Sequence, residues 1–169
     1  MPLTPPSRSL GTSSSGPAQC GSQVIQVFES WSHHLSPSDF SDFAAPHAKK
    51  TISIIKAAHP DTPVIYFANG GSGYLRLQTS LGADMISVDH GRLLSDARSD
   101  LGDYPVSGNV DPSVLFGTEE QVRSAVRECI KQAGGPGNAH VMNLGHGVRQ
   151  GTPEEAVGWA VDEVKKHRR

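Results

Sequence analysis

Cysteine is nearly missing from this sequence. The only two, Cys20 and Cys129, lie far apart and form neither a CxxC pair nor a disulfide framework, which fits a reducing compartment and argues against a structural zinc site. A strong charge of either sign is missing as well. Fifteen basic residues against seventeen acidic ones leave a formal charge of -2, so no global field draws the chain to nucleic acid or to an anionic membrane surface. An anionic ligand must therefore be met by local groups. No run of about 18 apolar residues occurs, which excludes a membrane-spanning helix at the level of sequence. The glycine loop at Gly70, Gly71 and Gly73 lacks both the GxGxxG order and a Lys-Ser/Thr terminator, so it reads as a structural turn and not a phosphate loop.

What is present suits one soluble domain: 36% of the residues are hydrophobic and 19% charged, enough of each to bury a core and keep a wet surface. The first twenty residues hold no acidic residue and many Ser, Thr and Pro, so they read as a disordered leader, either transit-like despite the single Arg8 or an incidental tail. From Gln23 onward, short β-branched runs alternate with segments of helical spacing, and five βα units follow. The expected strands are 24–28, 64–68, 85–88, 105–108 and 139–144. The expected helices run from Ser36 toward Ala58 with a bend at Pro46, from Tyr74 to Leu81 with Gly82 as its cap, from Arg92 to Leu101, from Thr118 behind a capping box with Gln121, and from Thr152 with Pro153 at its first position.

Alternating units of this kind build either a doubly wound open sheet or part of a (β/α)8 barrel. A whole barrel usually needs about 250 residues, so the expectation is α/β, an open sheet or an incomplete (β/α)8 TIM barrel of about five units. Either way the chemistry belongs at the C-terminal ends of the strands. That rule selects Phe28 to Trp31, the loop 69–73, Asp89 with His90, Asn109 with Asp111, and His146. Ser30 and Glu29 can reach a ligand or simply cap a loop. His33 and His34 point in different directions and have no third ligand at compatible spacing, which favours a solvated loop over a metal pair. Asp89 suits an acid, a base or a structural anchor, and Asn109 and Asp111 suit either a Pro-fixed turn or a ligand contact. His146 stands between Gly145 and Gly147, which should let the chain turn sharply and present the imidazole to a pocket.

Taken in order, Phe28-Glu29-Ser30-Trp31, Gly82-Ala83-Asp84, Asp89, Gly108-Asn109-Val110-Asp111-Pro112 and Asn143-Leu144-Gly145-His146-Gly147-Val148 resemble the strand-end motifs of the uroporphyrinogen decarboxylase family over residues 21 to 167, and Gly151 to Val157 is most similar to its plastid and bacterial branch. The resemblance implies a (β/α)8 enzyme, usually a homodimer, that converts uroporphyrinogen III to coproporphyrinogen III by removing carbon dioxide from four acetate side chains, without cofactor or metal. It implies that Ser30 and His146 contact substrate carboxylates and that Phe28 is an aromatic wall, with Asp89, Asn109 and Asp111 as further wall or rim candidates. Both polar groups are able to donate to carboxylates.

The family's essential aspartate and its carboxylate-binding arginines belong to the half that precedes the first strand here, so the resemblance places no catalytic residue in this chain and implies that the chain alone is inactive. The alternative is a non-catalytic fragment that binds porphyrinogen or pairs with a full-length paralogue. A zinc-dependent methyltransferase of the same superfamily needs His and Cys ligands at strand ends, and neither cysteine is so placed. His33-His34 and His90 depart from the family pattern, the latter standing where a tryptophan is common. The branch resemblance implies a chloroplast location, with the cytoplasm as the alternative.

Overall fold

Each of the five β-branched runs forms a strand. The computed structural model describes residues 21–135 and 138–167, so the proposed leader at 1–20 lies outside the described residues. The order of elements is β1 (Ile25–Glu29), α1 (Ala45–Ala58), β2 (Val64–Ala68), α2 (Leu75–Gln78), β3 (Met85–Ser87), α3 (Leu94–Leu101), β4 (Val106–Ser107), α4 (Glu119–Gln132), β5 (His140–Val141) and α5 (Glu154–Lys166).

All strand pairs are parallel, and the sheet order is β1-β2-β3-β4-β5. A doubly wound sheet reverses its order at a switch point, whereas a βα barrel adds each strand beside the last. The observed order has no reversal, which is the arrangement of a barrel arc. Side chains alternate across the sheet, and the register sets two opposed rows. Val27, Tyr66, Ile86 and Val106 stand on the helix side, while Phe28, Phe67, Ser87, Ser107 and Val141 stand on the other.

The helix-side row packs into the main core with Phe40, Ile52, Ile55, Leu94 and Ala97. A second apolar cluster of Leu115, Val122, Val126, Ile130, Ala156 and Ala160 joins α4 to α5. Above it, the buried carboxylate of Glu163 accepts from Arg123 at 3.3 Å, Arg127 at 3.2 Å and Lys166 at 2.8 Å. Lys166 first, then Arg127 and Arg123, hold this carboxyl down at about 2 against the opposing effect of burial.

Local departures from the expected elements have local causes. The segment leading to α1 opens with a helical turn at Pro37–Asp39, capped by Ser36, and continues as a π-helical turn over Phe40–Ala44 before α1 starts. Pro46 has no N–H to give and its ring crowds the carbonyl one turn back, so the wider turn takes up the misfit where a simple bend was expected. The helix expected over 74–81 is α-helical only at Leu75–Gln78, between 3-10 turns at Gly71–Tyr74 and Thr79–Leu81. There the Thr79 and Ser80 hydroxyls donate back to the carbonyls of Arg76 and Leu77, competing with the helical ladder. Thr152 was the expected cap of α5, but its hydroxyl closes a turn onto the Arg149 carbonyl at 2.7 Å, and Pro153 takes the cap position. The Thr118–Gln121 capping box and the left-handed Gly82 appear as expected.

Candidate functional site

Two glycine-dependent packings set the loops above the sheet. Gly70 adopts a left-handed φ of 73° and lies so close to His33 that a Cβ would strike it. This draws the loop after β2 against the loop after β1, where the Asn69 amide donates to the Ser30 carbonyl at 3.1 Å and the Asn69 N–H to the Glu29 carbonyl at 3.0 Å. The glycine loop is thus a structural turn. At the other end of the arc, a Cβ on Gly145 would run into the backbone of His90, and the Gly145 N–H donates to the Val110 carbonyl at 2.8 Å. Neither Gly145 nor Gly147 has a positive φ, and a Cβ on Gly147 would meet open space. The chain bends at Gly145 and His146 as expected, without a positive φ, and the close packing of Gly145 against His90 fixes the bend.

Between these loops lies a cleft of about 320 Å³ on the face of the sheet opposite the helices. Phe28, Ser30, His146 and Phe67 line it, with Gln26 and Ser87 deeper along the same strand face and Asn143 and Leu144 beside the histidine. The Phe28 and Phe67 rings meet edge to face at 6.2 Å, and the Phe67 ring stacks on the His146 imidazole at 6.2 Å with 30° between planes. The Ser30 hydroxyl and the imidazole are exposed donors on an aromatic wall. Three of the expected residues are therefore brought together.

The other three are not among the residues lining this cleft. Asp89 is 5% exposed, and both carboxylate oxygens are engaged, one by the Ser72 hydroxyl at 2.6 Å and one by the Gly91 N–H at 2.7 Å. Asn109 donates to the carbonyls of Asp89 at 2.9 Å and Arg92 at 2.6 Å. Asp111 accepts the Ser113 N–H at 2.8 Å and caps the 3-10 turn that follows, and that backbone bond in particular holds its carboxyl below the usual range. Asp89 and Asn109 thus tie the loops after β2, β3 and β4 together, while Asp111 caps its own turn. Short polar side chains at strand ends readily satisfy nearby backbone in this way.

Asp84, in the Gly-Ala-Asp motif, sits at the opposite end of β3. It accepts from Lys56 at 2.5 Å and from the Val64 N–H at 2.7 Å. Burial would raise its pKa, but these bonds carry it below the usual carboxylate value. The end of the strands away from the cleft is a place for stability. Cys129 is buried and donates to the Gly108 carbonyl at 3.1 Å, and burial pushes the thiol up. His34 stacks on Trp31 and His33 packs tilted against both in a 3-10 turn. Among the described residues, no three His, Cys, Asp or Glu side chains are grouped so as to hold a metal ion.

Phe67 was missed from sequence, together with Gln26 and Ser87. The period-2 alternation within each run places Gln26 on the face of Phe28, but only the register puts Phe67 and Ser87 in that row.

The model of the uroporphyrinogen decarboxylase (URO-D) family matches residues 14–167. Among curated proteins, the uroporphyrinogen decarboxylase of Synechocystis sp. is 41% identical over 148 residues, covering 87% of this chain and 42% of that protein. The Microcystis aeruginosa enzyme of the same name is 43% identical over 148 residues, with the same coverage. That of Trichodesmium erythraeum is 46% identical over 147 residues, covering 86% of this chain and 41% of the relative. The chain therefore spans about 42% of the length of the relatives it matches. With the family model matching residues 14–167, this chain belongs to the uroporphyrinogen decarboxylase family.

Proposed function

We propose that this chain forms the substrate-holding side of a uroporphyrinogen decarboxylase, an incomplete (β/α)8 barrel whose cleft binds uroporphyrinogen on its way to coproporphyrinogen. The observation that carries the reading is the convergence of Ser30, His146, Phe28 and Phe67 on one cleft. In the reaction each acetate side chain loses carbon dioxide and its carbon takes up a proton, leaving a methyl group. The contribution of these residues is to hold the carboxylates that do not react at that step. The Ser30 hydroxyl donates to one, His146 donates to another, and the Phe28–Phe67 wall packs against a pyrrole ring. None of these roles calls on a cofactor or a metal. The transit-like leader and the cyanobacterial relatives support a chloroplast location.

The test is a titration of the chain with uroporphyrin I, the oxidised octacarboxylate analogue, followed by porphyrin fluorescence. Loss of one charge-assisted hydrogen bond costs about 1.5–3 kcal/mol, so Ser30→Ala and His146→Ala should each weaken binding by roughly 10- to 100-fold. Equal binding by the wild-type chain and both variants would remove the reading.

A further inference from the structure

We infer that His33 is a second carboxylate-binding residue beside Ser30, and that the Asn69 side chain prepares it by fixing which ring nitrogen carries the proton. Its ligand is a carboxylate of the tetrapyrrole assigned to the cleft, so the binding role rests on that reading, whereas the tautomer does not.

The cause starts at the Ser30 carbonyl. Asn69 Nδ2 lies 3.1 Å from that oxygen. A carbonyl only accepts, so it decides which way round the amide sits: the NH2 group faces Ser30 and the amide oxygen faces away. The Asn69 N–H, donating to the Glu29 carbonyl at 3.0 Å, and the left-handed turn at Gly70 hold the residue in that place. The same Nδ2 lies 3.4 Å from His33 Nδ1. An amide NH2 donates two hydrogens and accepts none, so one goes to the Ser30 carbonyl and the other to the imidazole, which must accept at Nδ1. The neutral ring then carries its proton at Nε2.

Position follows from the same contacts. One nitrogen reaches both the Ser30 carbonyl and the His33 ring, so the imidazole adjoins a residue that lines the cleft. The Cα and Cβ of His33 press on Gly70, and its ring tilts against Trp31 at 5.9 Å and His34 at 4.0 Å. The residue is held on these sides and is still exposed. Two donors, the Ser30 hydroxyl and the His33 Nε2–H, therefore share the short turn after β1. A donor held in advance loses less freedom on meeting a carboxylate than a free side chain does, and a bond to a carboxylate is charge-assisted.

Two measurements on the full chain test this at about pH 8, where an ordinary histidine is neutral. The first is nitrogen NMR of the histidine rings, with the His33 signals assigned from their loss in His33→Gln. His33 should show the Nε2–H tautomer, and Asn69→Ala should shift it toward a mixture of both. The second is the uroporphyrin I titration. His33→Phe keeps a ring for Trp31 and His34 and removes the donor, so binding should weaken roughly tenfold. His33→Gln returns an N–H near the Nε2 position and should bind within about threefold of wild type. A purely structural His33 would reverse that order, which overturns the inference. An Nδ1–H or mixed tautomer in the wild-type chain overturns it whatever the porphyrin does. Equal binding by wild type and His33→Phe, beside weakened binding by Ser30→Ala, overturns it and leaves the cleft reading intact. No binding by the wild-type chain overturns the cleft reading and takes the ligand of His33 with it.

Discussion

The Phe67 ring stacks on the His146 imidazole, 6.2 Å between centroids, and thereby joins the tops of β2 and β5 across the mouth of the cleft. An aromatic pair contributes about 0.5–1.5 kcal/mol beyond the area it buries. Phe67→Leu keeps most of the volume and removes the stacking. Uroporphyrin titration should show binding weakened by roughly 2- to 10-fold, with the thermal midpoint lowered by a few degrees as the pair is lost. Unchanged binding would show that the stack does not orient His146.

The two glycines around His146 should respond differently to alanine. Gly145→Ala forces a methyl group into the backbone of His90, and overpacking of this sort costs about 1–3 kcal/mol. Gly147→Ala meets open space at an ordinary φ. Urea denaturation should therefore show a lowered midpoint for the first variant and a wild-type curve for the second.

Asp89→Ala leaves the Ser72 hydroxyl and the Gly91 N–H without their acceptor. An unsatisfied buried donor costs about 1–3 kcal/mol, so stability to urea should fall by that order. At temperatures where the variant remains folded, porphyrin affinity should match wild type. A specific loss of affinity at full stability would return Asp89 to the list of ligand contacts.

Glu163 gives the α4–α5 interface an acid limb. Its carboxyl is depressed to about 2 in the folded chain from an ordinary value of 4.5, so the unfolded chain binds the proton more readily. The stabilisation is fully present above pH 4.5 and is lost as pH falls from there through about 2. Glu163→Gln removes the charge that Lys166, Arg127 and Arg123 surround. At pH 7 its Tm should lie a few degrees below wild type, and the gap should narrow toward pH 3 in a thermal scan by circular dichroism.

Much of this protein is legible along the chain because its causes are local. The five strands follow from β-branched runs, α4 begins where Thr118 and Gln121 cap each other, and Gly82 ends its turn in the left-handed conformation that glycine alone adopts cheaply. The rule that ligands meet parallel strands at their C-terminal ends selected Phe28, Ser30 and His146, which line one cleft. The same rule could not sort Asp89, Asn109 and Asp111 from them. Whether Asp89 or Asn109 faces a cleft or binds a neighbouring loop depends on where residues 17 to 20 positions away in sequence come to lie.

The sequence by itself thus determined the alternation of strand and helix, the family and the short list of strand-end residues, since these rest on spacing of two or 3.6 residues and on motifs of a few positions. The tertiary structure decided that the sheet runs in sequential order, that Phe67 shares a face with Phe28 and stacks on His146, and that Gly145 packs against the His90 backbone. The physical reason is register: a slip of one residue between parallel strands would exchange the cleft face for the helix face, and only the packed backbone pairs fix it.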